Sequence, residues 1–76
     1  MKELLLYMAK NLVDEPEAVT VTEVSDEEGK VLELRVAPGD MGKVLGRQGR
    51  IAKELRTIVK TVAQRTGEKV TVEIVD

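Results

Sequence analysis

Cysteine, histidine, phenylalanine and tryptophan are all absent from this 76-residue chain, and Tyr7 is its sole aromatic side chain. Without cysteine there are no disulfides and no thiolate metal sites, and without histidine the usual imidazole base and imidazole metal ligand are missing as well. Ser25, the only serine, lies in a charged turn, so no pairing of nucleophile and base can be assembled and an enzyme is the least favoured class. Asp26-Glu27-Glu28 could ligate a hard cation, but a solvated hairpin turn accounts for the run and the spacing of a calcium-binding loop is missing. Gly42 to Gly49 does not satisfy the phosphate-loop pattern GxxxxGK[ST] either. No cofactor and no metal are expected.

Long hydrophobic runs are also lacking. Leu4 to Met8 is apolar for only a few residues before Lys10 and Asn11, which fits neither a signal peptide nor a membrane-spanning helix, so the expectation is a cytoplasmic protein without a membrane partner. No linker, repeat or low-complexity tract divides residues 1–76, which read as a single small domain whose core is marginal unless the elements pack well or the chain oligomerises. The net charge of −2 argues against a nucleic-acid partner until its distribution is followed along the chain. Residues 1–38 carry −5 and residues 66–76 carry −2, whereas residues 39–65 carry +5, from Lys43, Arg47, Arg50, Lys53, Arg56, Lys60 and Arg65 against Asp40 and Glu54.

Periodicity supplies the elements. Leu4, Leu5, Met8 and Leu12 recur at helical spacing, and Asp14-Glu15-Pro16 ends the run, predicting an amphipathic helix over about residues 2–13. Ala18 to Val24 is rich in β-branched residues and reads as a strand, with a slip in alternation at Glu23-Val24 that marks a bulge or a strand end. Ser25 to Gly29 is a turn, and Val31 to Ala37 alternates with Leu32, Leu34 and Val36 on one face, so the two strands form a hairpin with one buried face. Pro38-Gly39 stops the second strand, Asp40 is a candidate N-cap, and a short helix runs to Leu45, where Gly46 ends it.

From Arg50 onward, Ile51, Leu55, Ile58, Val59 and Val62 form a broad apolar stripe, and Thr66-Gly67 closes the helix. Lys53, Arg56 and Lys60 fall opposite that stripe, and for Arg56 and Lys60 a solvated helix face is the simpler reading. Val70, Val72 and Ile74 alternate in a last strand. The order α-β-β-α-α-β defines an α+β fold, and a crossover through two helices returns the chain parallel to the strand it left, giving a three-stranded mixed sheet.

Two glycine pairs share the GxxG spacing, and about 0.5 such pairs are expected by chance in a chain of this composition. Gly39-Asp40-Met41-Gly42 follows Pro38 and carries an acidic residue. Gly46-Arg47-Gln48-Gly49 instead joins two helices inside the basic segment, where glycines permit close backbone approach and the next helix aims free N–H groups at an anion. The string Gly42-Lys43-Val44-Leu45-Gly46-Arg47-Gln48-Gly49-Arg50-Ile51-Ala52-Lys53-Glu54-Leu55, in this element order, resembles the signature of the KH domain. The additional N-terminal elements are those of its type II form, with helices packed on one sheet face. Across nearly its whole length the chain resembles the small bacterial single-KH proteins of the KhpA/YlqC family.

That resemblance implies recognition of single-stranded RNA, with about four nucleotides held between the glycine loop and a sheet edge. On this reading Gly46 and Gly49 admit the backbone, Arg47 pairs with a phosphate, Gln48 contacts phosphate or sugar, and Lys43, Arg50 and Lys53 add flanking charge. Val44, Leu45, Ile51 and the exposed part of the second strand would line an aliphatic groove, although core packing is the stronger reading for those three side chains. Scarce aromatics weigh against modules that stack bases on rings but not against an aliphatic groove, and Tyr7 reads as a core or interface residue. The implied role is that of an RNA chaperone or post-transcriptional regulator, working as a homodimer or as a heterodimer with a second KH protein. The competing reading is a protein-interaction module with little RNA affinity of its own.

Overall fold

The computed structural model describes residues 1–75. Helix α1 spans Lys2–Lys10, and after a 3-10 turn at Pro16–Ala18 the strands β1 (Thr20–Asp26) and β2 (Gly29–Arg35) form a hairpin. A 3-10 turn at Pro38–Asp40 leads into α2 (Met41–Leu45), a second at Arg47–Gly49 joins it to α3 (Arg50–Arg65), and β3 (Val70–Ile74) ends the fold. The sheet order is β1-β2-β3, with β2 antiparallel to β1 and parallel to β3, which is the mixed sheet expected from the crossover.

Several boundaries differ from the periodicity, with β1 starting at Thr20 rather than Ala18 and β2 spanning Gly29–Arg35 rather than Val31–Ala37. α1 stops at Lys10 because the Asn11 side chain donates to the Tyr7 carbonyl at 2.7 Å and Leu12 N–H turns to Ala9, which closes the last turn early. β1 runs two residues further than expected, because Asp26 Oδ1 accepts from the N–H groups of Glu28 and Gly29 and compresses the hairpin tip to Glu27-Glu28. The slip at Val24 is not a bulge: pairing continues unbroken from Thr20↔Arg35 to Asp26↔Gly29, with Val24 on the wet face opposite Val31.

Leu5, Leu32, Leu34, Val44 and Val59 are the largest fully buried side chains, and they join α1, α2 and α3 to one face of the sheet. α3 is rotated from the stripe expected of it. It buries Ala52, Leu55, Val59 and Ala63, while Ile58 and Val62 stay 44% and 37% exposed. The inward face therefore combines two large apolar residues with two alanines, rather than following the largest apolar side chains throughout.

Candidate nucleic-acid interface

The glycine loop is built by backbone conformations that few residues adopt. Gly46 has φ 72° and ψ 177°, Gln48 φ 57° and ψ 27°, and Gly49 φ 73° and ψ 15°. Gly46 N–H closes α2 on the Gly42 carbonyl at 2.8 Å, and Gly49 N–H returns to the Gly46 carbonyl at 3.2 Å. The tip is thus one tight turn that projects Arg47 and Gln48, both exposed, and delivers the chain directly into the first turn of α3. Gln48 is the only non-glycine residue with positive φ among those described, a strain of about 1 kcal/mol held at the exposed loop tip.

Beneath the loop, Ile51 packs so closely on Gly46 that a Cβ there would lie 2.6 Å from Ile51 Cγ1. Val44 is fully buried and supports the loop from below, offering no surface to a ligand, and Ile51 is half-buried in the same layer. Leu45 is 37% exposed beside the loop.

Lys43 faces elsewhere. Its Nζ lies 2.5 Å from Asp14 Oδ2 and 3.5 Å from Asp40 Oδ1, and the hydrogen bond to Asp14 raises the ammonium above its ordinary range. Asp40 occupies the N-cap position of α2 without capping it: its carboxylate accepts instead from the backbone N–H groups of Asp14 and Glu15 at 3.1 and 3.0 Å. Burial favours the neutral acid, yet those two bonds and the charge of Lys43 together hold the Asp40 carboxyl below the ordinary carboxylate range. Lys43 is therefore part of a staple between α2 and the α1–β1 connection rather than a free flanking charge.

By contrast, Arg47, Arg50, Lys53, Arg56 and Lys60 make no ion pair among the described residues. Lys53, Arg56 and Lys60 line a groove of about 640 Å³ between α3 and β3, with Thr57 and Gln64 on the helix wall and Gly67 to Val72 opposite. Its single carboxylate among those residues, Glu68, is bound by Lys30 Nζ at 3.2 Å, a hydrogen bond that lowers the Glu68 carboxyl and raises Lys30. At that end Gly29 lies against Lys69, whose carbonyl a Cβ on Gly29 would overlap.

The sheet edge of this groove is β3, not the second strand. β2 is central and its backbone is used on both sides. Lys30 N–H donates to the Lys69 carbonyl and Val75 N–H to the Leu34 carbonyl, each at 2.9 Å, so alternate residues of β3 face β2. Val70, Val72 and Ile74 consequently turn their N–H and C=O groups outward, while the side chains of Val70 and Val72 are buried. Arg56 occupies one of these groups, its Nε donating to the Val72 carbonyl at 3.2 Å. Arg56, Lys60 and the β3 edge were missing from the sequence-predicted site, because only the strand order reveals which alternating strand lies at the edge.

Helix, glycine loop, helix and parallel edge strand, preceded by a helix and a hairpin, make this a KH domain of the type II arrangement. A sequence model of the KhpA/KhpB KH domain matches residues 2–74, and the chain belongs to that family. It is 59% identical over 75 residues to RNA-binding protein KhpA of Clostridium perfringens, covering 99% of this chain and all of that protein. RNA-binding protein KhpA of Chlamydia trachomatis is 47% identical over 76 residues, covering 100% of this chain and 97% of that one. A crystal structure of an Era variant from Aquifex aeolicus superposes with a TM-score of 0.66 at 19% identity, covering 96% of this chain and 28% of the longer one, and shares the fold. No helix among the described residues is long and apolar enough to cross a membrane.

Proposed function

We propose that this protein binds single-stranded RNA, with the Gly46–Gly49 loop clamping the phosphate backbone and the α3–β3 groove receiving the bases. The observation that carries the reading is the run of cations without carboxylate partners from Arg47 through Arg50, Lys53, Arg56 and Lys60, in a chain whose net charge is −2. Arg50 to Lys60 covers about 15 Å of helix, a span suited to a few nucleotides. Outward backbone groups of β3, apart from the Val72 carbonyl that Arg56 occupies, are available to base edges, and Val70 and Val72 line the groove. The naming of relatives at 47% and 59% identity as RNA-binding proteins supports the same reading. In the cell this is the equipment of an RNA chaperone or post-transcriptional regulator.

A second KH domain is the proposed protein partner, either another copy or a different chain. Ile58 and Val62 favour it, since they leave an apolar strip on α3 on the side away from the groove. Two joined clamps would raise weak single-site affinity through effective concentration.

Fluorescence anisotropy of a short unstructured RNA across a salt series tests the clamp. With about three phosphates neutralised, log Kd against log salt changes with a slope of magnitude near 2, at about 0.7 per phosphate on a single strand. A slope near zero would leave the protein-interaction reading standing alone.

A further inference from the structure

Arg56 differs from the other groove cations in being anchored. Lys53 and Lys60 flank it at positions i−3 and i+4 with no hydrogen bond from their ammonium groups among the described residues, whereas Arg56 Nε is committed to the Val72 carbonyl at 3.2 Å. That bond has two consequences for the sheet edge. It occupies an acceptor on an outward-facing residue of β3, and it fixes the guanidinium plane so that the two Nη nitrogens remain as a fork of donors in the groove.

An outward strand residue with both groups free offers an N–H beside a C=O, the complement of adenine, whose pairing edge sets the N1 acceptor beside the N6 amino donor. With its carbonyl taken by Arg56, Val72 contributes only its N–H, and Arg56 adds further donors at the same place. Resting on the RNA reading above, we infer that Arg56 is a specificity-determining residue that selects a base with two adjacent acceptors and disfavours adenine. Cytosine offers N3 beside O2, and guanine offers O6 beside N7, the pair that an arginine fork engages in other nucleic-acid complexes. Uracil has no such adjacent pair, since its N3 donor separates O2 from O4.

The test compares Kd values of the intact protein for hexameric oligo(C), oligo(A) and oligo(U) by anisotropy, with wild type, Arg56→Met and Arg56→Lys. Wild type is expected to bind oligo(C) about tenfold more tightly than the other two, toward the low end of what one bidentate pair discriminates. Arg56→Met frees the Val72 carbonyl and is expected to erase the preference mainly by losing affinity for oligo(C), with the affinity for oligo(A) maintained or improved. Arg56→Lys keeps the charge without the fork and is expected to lose the preference too, which carries the test if the methionine variant melts early. Equal wild-type affinity for oligo(C) and oligo(A) overturns the inference and leaves the RNA reading intact. So does a uniform loss in Arg56→Met accompanied by a salt slope flatter by about 0.7, which marks an ordinary phosphate contact. A wild type that binds none of the three oligomers overturns both readings.

Discussion

Asp40 Oδ2 accepts a hydrogen bond from the backbone N–H of Glu15 at 3.0 Å, joining residues twenty-five positions apart. With the neighbouring bond from Asp14 N–H at 3.1 Å and Lys43 on the other side, this carboxylate fixes where α2 begins and hence where the glycine loop is held. Asp40 is 2% exposed, and no buried side-chain oxygen or nitrogen among the described residues lacks a hydrogen-bond partner.

The staple sets a pH dependence. Because the folded-state pKa of Asp40 is depressed, its stabilising contribution is fully present above the unfolded carboxylate value, about 4, and is lost as pH falls through the lower folded value. Asp40→Asn replaces one acceptor oxygen with a donor facing a backbone N–H, so the variant melts several degrees below wild type at pH 7. The gap in Tm narrows as pH drops below about 4, because wild type then loses the ionised carboxylate that the variant never had. Thermal melts of both proteins from pH 7 to pH 2.5 measure it, and a gap independent of pH would remove Asp40 from the account.

On the proposed clamp, Lys43 and Arg47 separate structural charge from binding charge. Both lie in the basic segment and within five residues, yet Lys43 is held by Asp14 and Asp40 and Arg47 has no carboxylate partner among the described residues. Lys43→Met should lower Tm while leaving the salt slope of RNA binding unchanged. Arg47→Met should leave Tm in place and flatten the slope by about 0.7. Equal effects of the two substitutions on the slope would return Lys43 to the interface.

The two glycines of the loop are not equivalent. A Cβ on Gly46 would meet Ile51 Cγ1 at 2.6 Å and Ile51 Cβ at 2.9 Å, and φ 72° with ψ 177° is a region reserved to glycine. Gly49 has nothing within 4 Å of such an atom and sits at φ 73° and ψ 15°, where an alanine costs only left-handed strain. Gly46→Ala is therefore expected to destabilise by about 3 kcal/mol and Gly49→Ala by about 1 kcal/mol in urea unfolding. Equal losses would mean that the Ile51 contact yields without cost.

These pairs also mark what periodicity can and cannot reveal. The element order and the parallel return of β3 followed from apolar spacing and from the length of the crossover, because both are local properties or follow from handedness. The position of the loop between two helices was legible from Gly46 and Gly49 for the same reason. The inward face of α3 was not, because Ala52 and Ala63 carry little weight in a search for large apolar residues although both are buried on that face. Nor were the partners of Lys43 or the edge position of β3, each of which depends on residues far apart in sequence.

Reversing charge at the loop tip is the most direct trial of the clamp. Arg47 and Gln48 are exposed, neither packs in the core, and aspartate tolerates the left-handed backbone that Gln48 adopts better than most residues do. The double substitution Arg47→Asp and Gln48→Asp should consequently fold like wild type, with Tm shifted by no more than a few degrees. At the proposed interface it changes the local charge from one positive to two negative against an RNA strand that is itself polyanionic, and it replaces a fork of donors with acceptors that repel phosphate oxygens. RNA binding is expected to disappear from anisotropy at concentrations where wild type saturates. A variant that melts normally and still binds with wild-type affinity would assign the RNA contact to another surface, and the groove along α3 would then lose its entry point.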